Sequence, residues 1–468
     1  MSTTIGSGLL SRRAFLGVAA ASGTVLTAGS ARMSDAAQAA APQPVGTRNP
    51  LYVPPVVDVG GLQTPFTLTE APSTVDLGGG RLSTAWTYNG ILPGPTFRAR
   101  SGDTARFTLR NGLAEPTITH WHGMVVDHLN DGHPVYAIPP GGTYSYAFPI
   151  NQRAALNWYH PHPHMFTGEQ VALGSAGAFV LNDAEEAALG LPGGSYEVPL
   201  VVRDAVLDSA GNLKYTPKGG GFLGTIPLVN GTRDAYLNVD TALYRFRVLG
   251  GANARVFGLA LGNGAPFWLI GNDGGLLPST VQIGQIDLSP GERLDLLIDF
   301  RALTVGQTVL LRDVSAGWDL LEFRVARQVT DTTVIPTSLS TVTALTNPVR
   351  TRTFSFDGMS KINGLTYDVN RIDFQVPFGE VERWRFITNG NAPHPVHVHG
   401  ASFQVVSRSG GRGRTFPWEA GWKDTVLLQD FETVDILIRF AAYRGEYLLH
   451  CHKLEHEDNG MMSNFEVV

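Results

Sequence analysis

Apolar and polar residues alternate with period two in short runs along the chain, as in strands that turn one face to a core and one to water. One such run recurs three times, at 103–111 (DTARFTLRN), 240–248 (DTALYRFRV) and 380–389 (EVERWRFITN). A later run recurs as well, at 142–148 (GTYSYAF), 291–300 (GERLDLLIDF) and 432–440 (ETVDILIRF). Self-similarity of this kind predicts three copies of one β-sandwich unit, hence an all-β protein. The Gly190-Leu191-Pro192-Gly193-Gly194 run separates the first copy from the second, and the Ser/Thr-rich, charge-poor stretch from Thr330 to Pro348 separates the second from the third. The expected segments are 40–190, 191–340 and 341–468.

Composition agrees with a turn-rich β protein: of 468 residues, 54 are glycine and 29 proline, and only 16% are charged. Residues 1–39 read differently. Ser11-Arg12-Arg13 precedes an apolar stretch from Val18 to Leu26, and small residues follow at Ala37-Gln38-Ala39. This is the pattern of a twin-arginine export signal cut after Ala39, with the twin-arginine translocase as a partner in export and a periplasmic or extracellular destination. The apolar stretch is too short for a permanent membrane helix, and no other run approaches ~20 apolar residues, so stable membrane insertion is not expected. Removing Arg12, Arg13, Arg32 and Asp35 leaves 32 basic and 40 acidic residues, a formal charge of −8 against −6 for the whole chain. That balance disfavours nucleic acid and anionic membranes as partners. A single cysteine permits no internal disulfide, so an exported chain must hold itself together by core and metal.

That cysteine, Cys451, lies between His450 and His452, with His456 and Met461 beyond. A thiolate, two imidazoles and a weak thioether are the ligands of a blue-copper centre. In an extended strand, if Cys451 faces one copper, His450 and His452 face the other way, toward a second site. The alternative, a buried inert cysteine, leaves the other histidines unexplained. Of 13 histidines, ten fall into four clusters: His120/His122, His160/His162, His394/His397/His399 and His450/His452/His456. Giving His394 and His456 to the blue copper leaves eight imidazoles, a number that suits three coppers ligated two, three and three.

Aligning copies one and three sets His120/His122 against His397/His399 and His160/His162 against His450/His452. The three-copper cluster is therefore expected where the first unit meets the third. Thr117, Pro161, Phe166 and Val171 stand where the third copy has His394, Cys451, His456 and Met461, so the first copy cannot build a blue-copper site. The middle copy has no histidine and reads as a structural spacer.

Together the four clusters resemble the signature of the multicopper oxidases, bacterial three-domain laccase-like type, from the His120-Trp121-His122-Gly123 segment through 421–425 (GWKDT) and 454–458 (LEHED) to Met461. The resemblance implies three tandem cupredoxin-like Greek-key β-sandwich domains and four copper ions, one type 1, one type 2 and two type 3. It assigns His394, Cys451, His456 and Met461 to type 1 and His120 and His397 to type 2. It gives His122, His160 and His452 to one type 3 copper, and His162, His399 and His450 to the other. It further implies that four one-electron oxidations of a donor are coupled to four-electron reduction of dioxygen to water. Asp131 and Glu457 match carboxylate positions that assist oxygen reduction and proton supply, against the bland readings of an Asp-Gly turn and a hydrogen-bonding neighbour of the ligands. His128, His133 and His164 have no partner in the repeat and read as loop or supporting residues.

The resemblance also implies that electrons enter through an exposed edge of His456, with the substrate pocket built around it. Two donor classes compete. Phenols or aromatic amines would make the protein laccase-like; cuprous ion would make it an exported metal oxidase for copper tolerance. Only Met124, Met165, Met359 and Met462 remain outside the signal and the axial position, and they form no methionine-rich insert, which favours the organic donor. Some relatives keep the fold, lose the copper ligands and serve as cell-division or envelope scaffolds; here every ligand position is intact.

Overall fold

The computed structural model describes residues 48–390 and 393–468. The expected export segment 1–39 lies outside the described residues. Among the described residues, no helix is long and apolar enough to cross a membrane.

The strands form six sheets that fall into three pairs along the chain. The first pair is built from strands between residues 56 and 182, the second from 197 to 327 and the third from 350 to 467. One strand crosses this order: Asn49–Pro50 runs parallel to Ala235–Asp240 at the edge of a second-pair sheet. Among the described residues, the chain thus touches the second sandwich before it builds the first.

The recurrent runs occupy equivalent places. Thr104–Asn111, Leu243–Gly250 and Val381–Thr388 each lie parallel to the strand before them in the sheet, Phe66–Asp76, Glu197–Ala205 and Arg350–Asp357 respectively. Each is antiparallel to the second recurrent run, in registers Phe107↔Tyr146, Phe246↔Leu296 and Trp384↔Ile436. Their inward residues meet the facing sheet as aromatic contacts, Phe107 with Trp121 at 4.3 Å, Phe246 with Phe323 at 5.1 Å and Trp384 with Phe465 at 5.4 Å between ring centroids. Rings at these separations add specific attraction to apolar burial.

In the outer copies the recurrent strand alternates in burial as its pattern predicts. The middle copy departs from the pattern: every residue of Leu243–Gly250 is buried. Its polar face, Arg245 and Arg247, is covered by Glu186 from the short helix Ala184–Ala187 that ends the first sandwich, with Glu197 and Asp295 completing an ion cluster. An alternating pattern shows which residues share a face, not whether another unit covers that face.

The histidine-bearing strands are also equivalent. Thr119–His122 pairs with Ala155–Pro161 in register His120↔His160, and His394–Val398 pairs with Gly445–Cys451 in register His397↔His450.

Glu186 gives this interface a pH signature. Burial opposes its ionisation, but Arg247 and Arg245 prevail and hold it at about 2, below its ordinary 4.5. A depressed carboxylate stabilises the fold above its ordinary value and loses that contribution as pH falls through the folded value. Glu186→Gln is expected to cost about 3 kcal/mol at neutral pH. In denaturant unfolding the gap between variant and parent should close as pH falls from about 4.5 toward 2; a gap independent of pH would refute the pairing.

Candidate metal centre

Cys451 ends its strand with the side chain in the core of the third sandwich, in the same buried cluster as Val396 and Met461. His450 and His452 leave on the opposite face. The short helix Leu454–Asp458 then turns the chain back, closed by Met461 N–H donating to His456 O at 2.8 Å and Cys451 N–H donating to Met461 O at 3.1 Å. His394 comes from the adjacent strand. The Cys451 Sγ lies 3.4 Å from His394 Nδ1 and 3.7 Å from His456 Nδ1, and the two nitrogens are 3.2 Å apart. Burial pushes the thiol up to about 12, and pulls His394 down to about 3 and His456 to about 2, helped by Lys453. A neutral thiol and two neutral imidazoles thus face one another, with only one backbone donor on the sulfur, Lys453 N at 3.4 Å.

On the other face, eight histidines from the two outer sandwiches converge. Several are anchored at Nδ1: His120 Nδ1–H donates to Asp131 O at 2.6 Å, His397 Nδ1–H to Asp424 O at 2.8 Å and His160 Nδ1–H to Pro161 O at 2.8 Å, and His399 Nδ1 is hydrogen-bonded to Asp131 Oδ2 at 2.7 Å. His450 Nδ1 lies 3.2 Å from both Cys451 O and Glu457 Oε2. A carbonyl can only accept, so these anchors fix the proton of His120, His397, His160 and His450 on Nδ1 and leave a lone pair on Nε2.

Those lone pairs meet. His120 Nε2 faces His397 Nε2 at 3.4 Å, and His450 Nε2 faces both His399 Nε2 at 3.0 Å and His162 Nε2 at 3.4 Å. Nearby, His122 Nδ1, His160 Nε2 and both ring nitrogens of His452 are buried without a hydrogen-bond partner. The three rings lie 4.9–5.7 Å apart. Burial, then the neighbouring imidazoles, hold His120, His122, His397, His399 and His452 well below their ordinary range, and burial takes His160 to about 3 and His162 to about 4. Burial thus opposes protonation of His120, His397, His399 and His162, whereas a cation between the facing nitrogens would satisfy them.

Two carboxylates flank the cluster. Asp131 is fully buried between His399 and His120, and burial lifts its pKa well above the carboxylate range, with Asp127 adding to the rise. Its turn is real as well: Gly132 has φ +82°, and a Cβ there would strike Thr119 O. Glu457 lies beside His450 and His162; burial opposes its ionisation, but the two rings outweigh burial and hold it below the ordinary range. A cavity of about 10 Å³, on the order of one water, is lined by His120, His397, His399, Gly123, Gly400 and Asp424.

In the first sandwich the places equivalent to the Cys451 group are filled otherwise. Thr117 lies 2.6 Å from Glu70 and 2.9 Å from Gln170, and Val171 is buried in the helix Thr167–Leu173. Of the histidines without a partner in the repeat, His133 Nε2–H donates to Asn464 Oδ1 at 3.0 Å, His128 approaches Tyr136, and His164 lies against Tyr367, all outside the converging groups. The expected exposed edge of His456 is not found. His456 is 1% exposed, because the 219–221 glycine loop and Met359 cover it: a Cβ on Gly220 would lie 2.0 Å from Met359 Sδ and 3.5 Å from His456 Nε2.

Sequence reading missed a group of supporting residues. Trp158 walls the cluster, 4.1 Å from His160 between ring centroids. Asp424 and Thr425 lie 3.0 and 3.1 Å from His122 Nε2. Asp424 stands in the GWKDT segment, where the family resemblance of that segment was the available signal. Gly291 and Arg293 come from the middle copy, whose lack of histidines hid them.

Sequence models of the multicopper oxidase family match the chain twice, over residues 71–186 and 334–468. The cell division protein FtsP of Dickeya dadantii (strain 3937) is 33% identical over 478 residues, covering 97% of this chain and 98% of its own. Bilirubin oxidase of Albifimbria verrucaria is 36% identical over 412 residues, 81% of this chain and 72% of its own. The crystal structure of the McoA multicopper oxidase from the hyperthermophile Aquifex aeolicus superposes with a TM-score of 0.84 at 35% identity, covering 90% of this chain and 99% of that one. The two matched segments carry between them all four histidine groups, and the likeness in fold runs through the middle sandwich as well: the chain belongs to the multicopper oxidase family.

Proposed function

We propose that the protein is a four-copper oxidase that couples four one-electron oxidations of an organic donor, a phenol or aromatic amine, to reduction of dioxygen to two waters. The observation that carries this reading is the convergence of buried, neutral imidazole lone pairs beside a separate thiol and imidazole group. His394, Cys451, His456 and Met461 would hold the type 1 copper, and His120 and His397 the type 2. His122, His160 and His452 would hold one type 3 copper, and His162, His399 and His450 the other. The donor set fits: thiolate and thioether with imidazole suit copper, and an all-imidazole cluster suits the rest. Bound copper supplies one-electron redox change at the first group and dioxygen reduction at the cluster.

The chain's own residues supply the connection and the protons. Cys451 is joined to His450 and His452 through the backbone, so the two groups are covalently linked at the shortest spacing an extended chain allows. Reduction of one dioxygen consumes four protons, and Asp131 and Glu457 stand on the ligand histidines where such protons must pass. The donor's electron enters beside His456. Its cover includes Met359, half exposed, with exposed Leu223 two residues beyond the glycine loop, an apolar setting suited to an aromatic molecule. A relative named for oxidising bilirubin agrees with an organic donor. The thioether of Met359 also favours a second reading, cuprous ion as donor.

The likeness to FtsP over nearly the whole chain raises a non-enzymatic role in cell division. That role gives no reason for burying so many unprotonated imidazoles face to face. An export signal at residues 1–39 would put the activity outside the cytoplasm.

Copper-loaded protein is expected to absorb intensely in the orange-red and Cys451→Ser to abolish that band; a colourless, copper-replete parent would sink the type 1 assignment. Asp131→Asn should slow reoxidation by dioxygen at least ~10²-fold while leaving reduction by donor nearly unchanged, measured by stopped flow; equal loss in both half-reactions removes Asp131 from the proton route. Steady-state turnover of a methoxyphenol and of Cu(I) at one oxygen concentration separates the donors. Preference for Cu(I) by orders of magnitude would replace the laccase-like reading with the metal-oxidase one.

A further inference from the structure

Imidazole can face a ligand with either nitrogen, and what anchors the other nitrogen decides which. In His120, His160, His397 and His399 the anchored atom is Nδ1. His122 is reversed. Its Nε2 is held by Asp424 Oδ1 and Thr425 Oγ1, and its Nδ1 is the buried atom with no partner.

Asp424 is itself held from the middle sandwich. The Arg293 guanidinium, wholly buried, forms a fork on the Asp424 carboxylate, with Nη1 to Oδ1 at 2.6 Å and Nη2 to Oδ2. The same guanidinium donates to Leu156 O at 2.9 Å in the first sandwich, to Gly291 O at 2.9 Å and to Asp273 O at 3.1 Å. Asp273 receives Arg293 N–H at 2.8 Å and pairs with Lys423, the residue before Asp424, at 2.9 Å. Two glycines make room for this arrangement, both at positive φ. A Cβ on Gly123 would lie 2.5 Å from Arg293 Nη2 and 3.0 Å from Asp424 Oδ2, and one on Gly291 would lie 3.1 Å from both His122 and His452. The glycine of the His120-Trp121-His122-Gly123 segment thus admits an arginine from another repeat.

We propose that Arg293 and Asp273 of the middle repeat lock Asp424 as a positioning residue that turns His122 to present Nδ1 to the metal, so that the histidine-free repeat is a working part of the three-copper cluster. The proposal rests on the copper reading above. A guanidinium fork fixes a carboxylate in plane as a lysine cannot. Without that fork Asp424 has Thr425 and two histidines as neighbours and no cation aligned with both its oxygens. Neither Asp424 nor Arg293 is a catalytic residue here: each acts through His122, and Asp424 also through the His397 ring, which stacks on His122 at 3.7 Å.

The test uses the full copper-loaded chain, with Asp424→Asn, which keeps the side chain's shape, and Arg293→Lys, which keeps the charge but not the fork. Each is titrated with a copper chelator while three quantities are followed: copper per chain, the blue band of the Cys451 site, and the paramagnetic resonance of the type 2 copper. We expect Asp424→Asn to lose cluster copper at about ten- to a hundredfold lower chelator, with the blue band persisting as in the parent, and Arg293→Lys to shift the same way by less. Cluster copper held as tightly as in the parent overturns the proposal. So does loss of both copper centres in step, or failure of both variants to fold, since either would make the contact a docking ion pair and nothing more. A parent that binds no copper at all is a different outcome and removes the copper reading itself.

Discussion

Everything in this molecule is arranged around unprotonated imidazoles whose lone pairs face one another out of reach of water. In water such rings would take up protons or solvent hydrogen bonds; in this interior desolvation opposes the charge on most of them, and carbonyl anchors hold the proton of His120, His397, His160 and His450 on Nδ1. Cations between the rings would satisfy the facing nitrogens together. Neither side of the cluster exists in a single sandwich, so a metal held there would tie the outer two together.

The repeat accounts for how this was built. Two sandwiches place an H-x-H pair on each of two neighbouring strands, in the same register, and present them to each other. Divergence then separates the copies. Where the third carries Cys451, His394, His456 and Met461, the first carries Pro161, Thr117, Phe166 and Val171 and fills the space with Glu70, Gln170 and apolar packing. Only the third copy joins a thiol to the histidine cluster, by carrying Cys451 between two histidines where the first copy carries Pro161.

The middle sandwich is more than a spacer. It buries its polar strand face against the first sandwich through Arg245 and Arg247, and it reaches the cluster through Gly291 and Arg293. Arginine suits both contacts because its charge is not given up on burial and its planar fork satisfies carboxylates and carbonyls together. The second of these contacts ties all three units at the histidine cluster.

The sequence by itself determined the strand periodicity, the threefold repeat, the pairing of His120/His122 with His397/His399, and the chemistry available at Cys451, because these depend on spacing along one chain and on side-chain type. Asp131 and Glu457 were legible only by resemblance. Tertiary structure decided what spacing cannot encode. The strand Leu243–Gly250 looks half-buried, yet a neighbouring unit covers its polar face. His456 looks like an open edge, yet a glycine loop and Met359 from distant segments close over it. Arg293 and Asp424 are 131 positions apart and carry no mutual signal in the chain; their pairing exists because three sandwiches close around the same buried histidines, and a buried carboxylate there requires a cation.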